Sequence, residues 1–294
     1  MSNPRIPFRL SGQNPPLQPL DGARLLVHIV VNVEHWPLDK PMPRSILPAP
    51  HGKESVPDVP NFSWVEYGMR CGLPRILKVL ADRGVSATTA INAVCLEEYA
   101  DASEAMLRAG WEFMGHGVHQ QALNVVEDPG AVIDEALARL ERFTGRRPRG
   151  WLGPGLRESA DTPELLVHGG VEYVCDWTLD DVPVWMHTAN GPLIAMPYSL
   201  ELNDSVMHAV ESQPSATLLH RVTDTLETFA AEMDDTCRVL TIPLHPHLMG
   251  VPHRIGYLAR TLDLLIGRDD CAVVTGSQLA DWFAAQQDPP AEAA

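Results

Sequence analysis

Cysteine is sparse in this chain and nowhere clustered. Cys71, Cys95, Cys175, Cys237 and Cys271 lie far apart, and no Cys-x-x-Cys occurs. An odd, dispersed set reads as reduced, mostly buried thiols and argues against a zinc–cysteine site. Positive charge is sparse too: 22 Lys and Arg stand against 38 Asp and Glu, a formal net charge of −16. Such a surface repels phosphate backbones and anionic lipid headgroups, so neither nucleic acid nor a membrane is an expected partner. Long hydrophobic runs are missing; no apolar stretch approaches the roughly 20 residues of a membrane helix. The opening segment, MSNPRIPFRLSGQNPPLQPLDG, is polar, rich in proline and without the apolar core of a signal peptide. A cytoplasmic location is expected on that ground.

What the chain does have is the composition of an ordinary soluble enzyme, 45% hydrophobic and 20% charged, and a steady alternation of strand-like and helix-like segments. The run 25–33 is apolar and β-branched, as in strands buried on both faces. Residues 62–83 read as a helix stopped by Gly84, and residues 129–143 as a helix with Val132, Ile133, Ala136, Leu137 and Leu140 on one stripe. Further helices are expected over 97–109, 162–168, 216–233, 254–266 and 277–285. Strands are expected over 86–94, 111–114, 148–152, 171–177, 193–198, 237–243 and 271–275. Repeated βα units of this length predict an α/β fold, a distorted (β/α) barrel of about seven strands with helices outside. The expected organisation is an extension over 1–22, one domain over 23–286 and a disordered tail over 287–294. Residues 37–61 break the rhythm with seven prolines and no periodic pattern. Following directly on the first strand, this segment reads as a lid over that strand's carboxyl end.

The polar residues gather at strand ends, where α/β folds place their chemistry. The first strand ends in Asn32, Glu34, His35 and Trp36, and the spacing puts Asn32 and Glu34 on one side. Gly-His-Gly-Val-His follows the third strand, offering His116 and His119, imidazoles suited to zinc together with a Glu34 oxygen. Ile-Pro-Leu-His-Pro-His ends a later strand with His245 and His247. Leu-Gly-Pro-Gly after Trp151 permits tight turns or close backbone approach to a ligand, and Asp176 and Trp177 stand at another strand end.

The order and spacing of these segments resemble the polysaccharide deacetylase (NodB-homology) superfamily over about residues 20–285, and within it the allantoinase-like and cyclic-imide hydrolase branch. The resemblance rests on Asn32-Val33-Glu34, the Glu-Tyr-Gly-Met-Arg-Cys-Gly run at 66–72, His-Gly at 116, Gly-Trp-Leu-x-Pro at 150–154 with Thr-Pro-x-Leu-Leu at 162–166, Asp-Trp-x-x-Asp-Asp-x-Pro at 176–183, and Leu-His-Pro-x-Leu-x-Gly at 244–250. The chain departs from the sugar deacetylases in two places. Asn32 and Glu34 replace their Asp-Asp pair, and Gln120 stands four residues after His116 where a second histidine is usual. Asn32 cannot take a proton at neutral pH, so a deacetylase mechanism built on that Asp is closed in its usual form.

The resemblance implies hydrolysis of a C–N bond in a small cyclic imide, ureide or amide. Glu34 activates water, alone or through a divalent metal, zinc before others, held by Glu34, His116 and His119. Asn32, a metal or backbone N–H groups near Gly153 stabilise the oxyanion. His245 donates the proton to nitrogen, with Asp176 completing the catalytic set. Trp36, Trp151, Trp177 and Trp185 wall the pocket, His247 joins them, and Arg70 and Arg157 bind a carboxylate. His35 faces the lid or supports the site from behind. The alternatives are a sugar N-deacetylase and a family member that binds a small molecule without turnover. A homo-oligomer, dimer or tetramer, is expected from the same likeness.

Overall fold

The protein is described by a computed structural model covering residues 3–49, 52 and 56–289. One curled sheet of nine strands organises it, in the order β6-β7-β5-β4-β3-β2-β1-β8, with β9 also paired to β1. The strands are β1 (Leu25–Val33), β2 (Thr88–Ile91), β3 (Glu112–Gly115), β4 (Gly150–Trp151), β5 (Tyr173–Val174), β6 (Val184–Thr188), β7 (Gly191–Ala195), β8 (Arg238–Leu244) and β9 (Cys271–Val274). All pairings are parallel except the β6–β7 hairpin. The α/β barrel-like class expected from the alternation is therefore observed. The strand not expected is β6, the first arm of the β6–β7 hairpin, whose short mixed pattern does not separate from loop by period. Every residue of β1 is buried. One edge runs along β8 from Leu25 to Val31, while its two halves pair β9 and β2 separately.

The helices close over this sheet by ordinary means. In the helix Pro129–Thr144, Asp128 accepts the Ala131 N–H, Pro129 opens the first turn, and Gly145 ends it in the left-handed region at φ 73°. Its buried stripe is Ile133, Ala136, Leu137 and Leu140. The expected continuous helix over 62–83 is instead Val59–Tyr67, a π turn Gly68–Gly72, and Leu73–Ala81. The reason is packing. A Cβ on Gly68 would lie 2.4 Å from the His247 nitrogen, and one on Gly72 would lie 2.0 Å from the Pro246 oxygen. The π turn thus lets the helix backbone press directly on the histidine segment after β8.

At the amino end of the sheet sits a buried polar knot. Thr88 Oγ1 donates to Glu112, which also accepts from Tyr173 Oη and the Ser277 N–H at the start of helix Gly276–Ala284. With its hydrogen committed, Thr88 Oγ1 accepts from His28 Nε2 at 2.9 Å, so His28 is the Nε2–H tautomer. His28 Nδ1 has no partner among the described residues, and burial lowers the imidazole to about 4. The five cysteines are free thiols, Cys95, Cys175 and Cys237 buried. No helix among the described residues is long and apolar enough to cross a membrane. The expected disordered tail lies outside the described residues beyond 289; Gln287 itself accepts from Trp185 Nε1.

Candidate active site

Parallel register assembles the site. Val31 lies opposite Leu244, Val33 opposite Ile91, Ile91 opposite Gly115, Gly115 opposite Trp151, and Trp151 opposite Val174. The residues one to three positions further on therefore collect at one mouth: Asn32 and Glu34, Asn92, His116, Leu152, Asp176 and His245. At its centre is Glu34. His116 Nε2 and His245 Nε2 each lie 3.6 Å from Glu34 Oε1. Gln120 Nε2 donates to that same oxygen at 2.8 Å, and Trp36 Nε1 donates to Oε2 at 2.9 Å. Burial alone would raise the Glu34 carboxyl, but the adjacent His116 and His245 rings outweigh it and hold the group well below the usual carboxylate range.

Each imidazole is oriented from behind. His116 Nδ1 faces the Leu152 carbonyl at 2.6 Å and must carry its hydrogen. Its Nε2 is buried and has no hydrogen-bond partner among the described residues. His245 is gripped by Asp204: Oδ1 accepts Nδ1–H and Oδ2 accepts the His245 backbone N–H, both at 2.7 Å. Burial works against the charged ring, yet Asp204 and then Glu34 prevail and raise His245 to about 10. Next to it, burial first and the His245 charge second lower His247 to about 3, so that ring is neutral. Trp64, Trp36 and His247 meet edge to face, with Trp64 and His247 centroids 4.6 Å apart. Asn32 donates to Tyr198 Oη and to the Leu244 carbonyl.

The donor set does not fit a resident metal. The backbone N–H of His35 donates to Asn92 Oδ1, so Asn92 Nδ2 must point onward to Gln120 Oε1, and Gln120 Nε2 must point at Glu34. An N–H group is thus locked where a third ligand would need a lone pair. His119 is exposed on the turn beyond His116 and joins neither Glu34 nor His116. Among the described residues no group of three or more His, Cys, Asp or Glu is arranged to hold an ion. The zinc set expected at Glu34, His116 and His119 is corrected accordingly.

Other expected residues fall elsewhere. Arg70 is on the outer face of the π turn, paired with Glu66 on the surface. Arg157 is exposed. Trp151 is fully buried over Gly115, a core residue rather than a pocket wall. Trp185 packs on Phe283 at the far hairpin. Trp177 donates to Glu158, and the Gly153 N–H is taken by Asp176 Oδ1, which removes it as an oxyanion donor. Asp176 consequently supports the loop and does not face Glu34's oxygens. His35 lies edge-on to Tyr99 beside the site. Asp204, Gln120, Asn92 and Trp64 complete the site without having been singled out as parts of it; Gln120 alone left a trace, as the departure from the His-x-x-x-His pattern. The segment expected as a lid is held at Arg44, which donates to the Ser205 carbonyl and hydroxyl, and at Asn61, which exchanges hydrogen bonds with residues 46 and 47.

With the geometry in hand, likeness to known proteins becomes informative. The family model for polysaccharide deacetylase matches residues 62–174 of this chain. The fold is shared with the crystal structure of PuuE allantoinase at 26% identity and a TM-score of 0.82, covering 97% of this chain and 99% of the other. A probable polysaccharide deacetylase from Pseudomonas aeruginosa PAO1 superposes with 25% identity and a TM-score of 0.81 over 94% and 96% of the two chains. A peptidoglycan deacetylase of Helicobacter pylori is 23% identical over 214 residues, 71% of this chain and 69% of its own. The family match ends short of both β1 and β8, so Glu34 and His245 are placed by the fold.

Proposed function

We propose that the protein opens a small cyclic imide, ureide or amide by hydrolysing a ring C–N bond. The observation that carries the reading is the Glu34 carboxylate suspended between two imidazoles, with the Gln120 amide locked as a donor to it. The full-length likeness to an allantoinase, an enzyme named for a cyclic ureide, agrees with it. Glu34 held so far down is a poor base on its own. The unpartnered Nε2 of His116 takes the proton from water, and the Glu34 carboxylate beside it stabilises the imidazolium that forms. The water oxygen bonds to the ring carbonyl carbon. His245 Nε2–H faces the developing oxyanion and then gives its proton to the departing nitrogen as the C–N bond breaks. The product acid ionises, releasing one proton per turnover. Trp36, Trp64 and neutral His247 offer a compact apolar wall for a flat ring.

The test is a panel of succinimide-, hydantoin-, dihydropyrimidine- and allantoin-like rings assayed by acid release with a pH indicator. Glu34→Gln and His245→Ala should each lose at least about a hundredfold in kcat/KM. Near wild-type turnover by both variants would sink the mechanism. The peptidoglycan deacetylase likeness supports a second reading, amino-sugar deacetylation, which acetate release from chitin oligomers would establish.

A further inference from the structure

We propose that Glu158 and Asp176 share one proton and, through it, hold the His116 imidazole in position. Asp176 leaves the end of β5, and its Oδ1 accepts the Gly153 N–H at 2.7 Å. Glu158 lies in the segment that follows β4 and Gly153, its Oε2 accepting Trp177 Nε1–H at 3.0 Å. This leaves Asp176 Oδ2 and Glu158 Oε1, both out of solvent and both without a donor among the described residues. Two bare carboxylate oxygens cannot both stay charged in a dry setting. The surrounding charges relieve them only in part. Arg5 from the N-terminal segment is engaged by Glu164, Glu164 adds negative charge from the following helix, and the neighbouring Cys175 is a buried thiol. A single hydrogen between the two oxygens satisfies both and leaves the pair with one charge. Burial, then the charge of the other carboxyl, moves Asp176 well up; burial also raises Glu158.

The consequence reaches His116 through two adjacent backbone groups. The Leu152 carbonyl holds His116 Nδ1, and the next residue, Gly153, gives its N–H to Asp176. Asp176 packs so closely there that a Cβ on Gly153 would lie 2.8 Å from Oδ2. Removing the shared proton sets two charges against each other. The pair parts, Gly153 follows Asp176, and the Leu152 carbonyl no longer aims the ring. Glu158 and Asp176 touch no reacting atom; they are positioning residues.

The test uses Glu158→Gln and Asp176→Asn, in each of which an amide supplies the hydrogen permanently. Infrared difference spectra of the wild type should show a carboxylic-acid carbonyl band at neutral pH that titrates away in alkali and is missing from both variants. The His116 ring resonances should shift over the same alkaline interval in the wild type and stay put in Glu158→Gln. The turnover limb rests on the ring-opening reading: Glu158→Gln should keep its activity to a pH at least about one unit higher than the wild type. A band that neither substitution removes overturns the shared proton. Equal movement of His116 in wild type and Glu158→Gln overturns the positioning role. Infrared and NMR both read out without a substrate, so failure to turn over any ring would count against the proposed reaction alone.

Discussion

Asp204 should control the acid of this site, and Asp204→Asn is the sharpest probe of it. The carboxylate is fully buried and makes two 2.7 Å hydrogen bonds to one residue, to the ring and to the backbone of His245. Raising His245 from 6.5 to about 10 corresponds to about 5 kcal/mol favouring the imidazolium, shared between Asp204 and Glu34. Asp204 is the larger contributor of the two. Removing its charge while keeping its shape should lower His245 by at least about two pH units. The asparagine also cannot serve both bonds as before: if its oxygen accepts Nδ1–H, its amide faces the backbone N–H. If its amide faces the ring, Nδ1 must give up its hydrogen.

Proton delivery to the departing nitrogen then fails across the upper pH range, and kcat should fall about 10² to 10⁴-fold, with the alkaline limb moving toward neutrality. The assay is kcat and kcat/KM against pH on the best ring of the panel, beside the His245 ring resonances in the same variant. The sign for stability follows from the same shift. A raised histidine contributes stability that is fully present below pH 6.5 and is lost as pH rises through about 10. The reasoning is refuted by a variant that loses less than about tenfold and keeps its alkaline limb in place.

His28 tests the other end of the sheet. Its folded value of about 4 lies below 6.5, so the unfolded chain binds more protons between them and stability falls as pH falls through that window, by about 3 kcal/mol in all. Urea midpoints at neutral pH and near pH 4 should show that loss, and His28→Gln should lack most of it; equal losses would reject the assignment. Gly72→Ala forces a methyl to within 2.0 Å of the Pro246 carbonyl oxygen, so thermal stability should drop by about 2 kcal/mol or more and turnover should fall with it as the His245 segment shifts. Exhaustive chelation should leave the wild type fully active, because Gln120 presents a donor to Glu34. Gln120→His should gain zinc binding measurable by calorimetry, since it replaces that donor with a lone pair; zinc bound equally by both proteins contradicts the argument.

Some of this was legible in the sequence because the signal was local. The β1 run announces a strand buried on both sides, and Asn32 and Glu34 break it two residues apart. His116 and His245 each follow a strand directly, so knowing that strand ends converge was enough to bring them to Glu34. Asp204 gave no such sign. It lies in an aperiodic stretch between β7 and the helix Thr217–Glu232, and only the closed sheet brings it behind His245. The tryptophans fail for a related reason. Which face a strand residue takes depends on its neighbours, and Trp151 turns inward because Gly115, far away in sequence, leaves room for its ring: a Cβ there would meet Trp151 Cε3 at 2.5 Å. Arg70 depended on which side of the π turn met His247, and Gly68 and Gly72 decide that by contact rather than by period.

The departures Asn32 and Gln120 were visible, but their meaning came from direction. A hydrogen-bond chain has a polarity, and here it starts from a backbone N–H that can only donate, at His35, and passes through Asn92 to Gln120. That polarity turns a one-residue departure from a family pattern into a statement about chemistry. The amide must face Glu34 with hydrogen, so Glu34 accepts an N–H from an amide and one from an indole, lies 3.6 Å from the His245 imidazolium, and remains charged in a dry site. In the proposed reaction, a carboxylate so held serves as the fixed negative charge beside which His116 and His245 exchange protons with water and substrate.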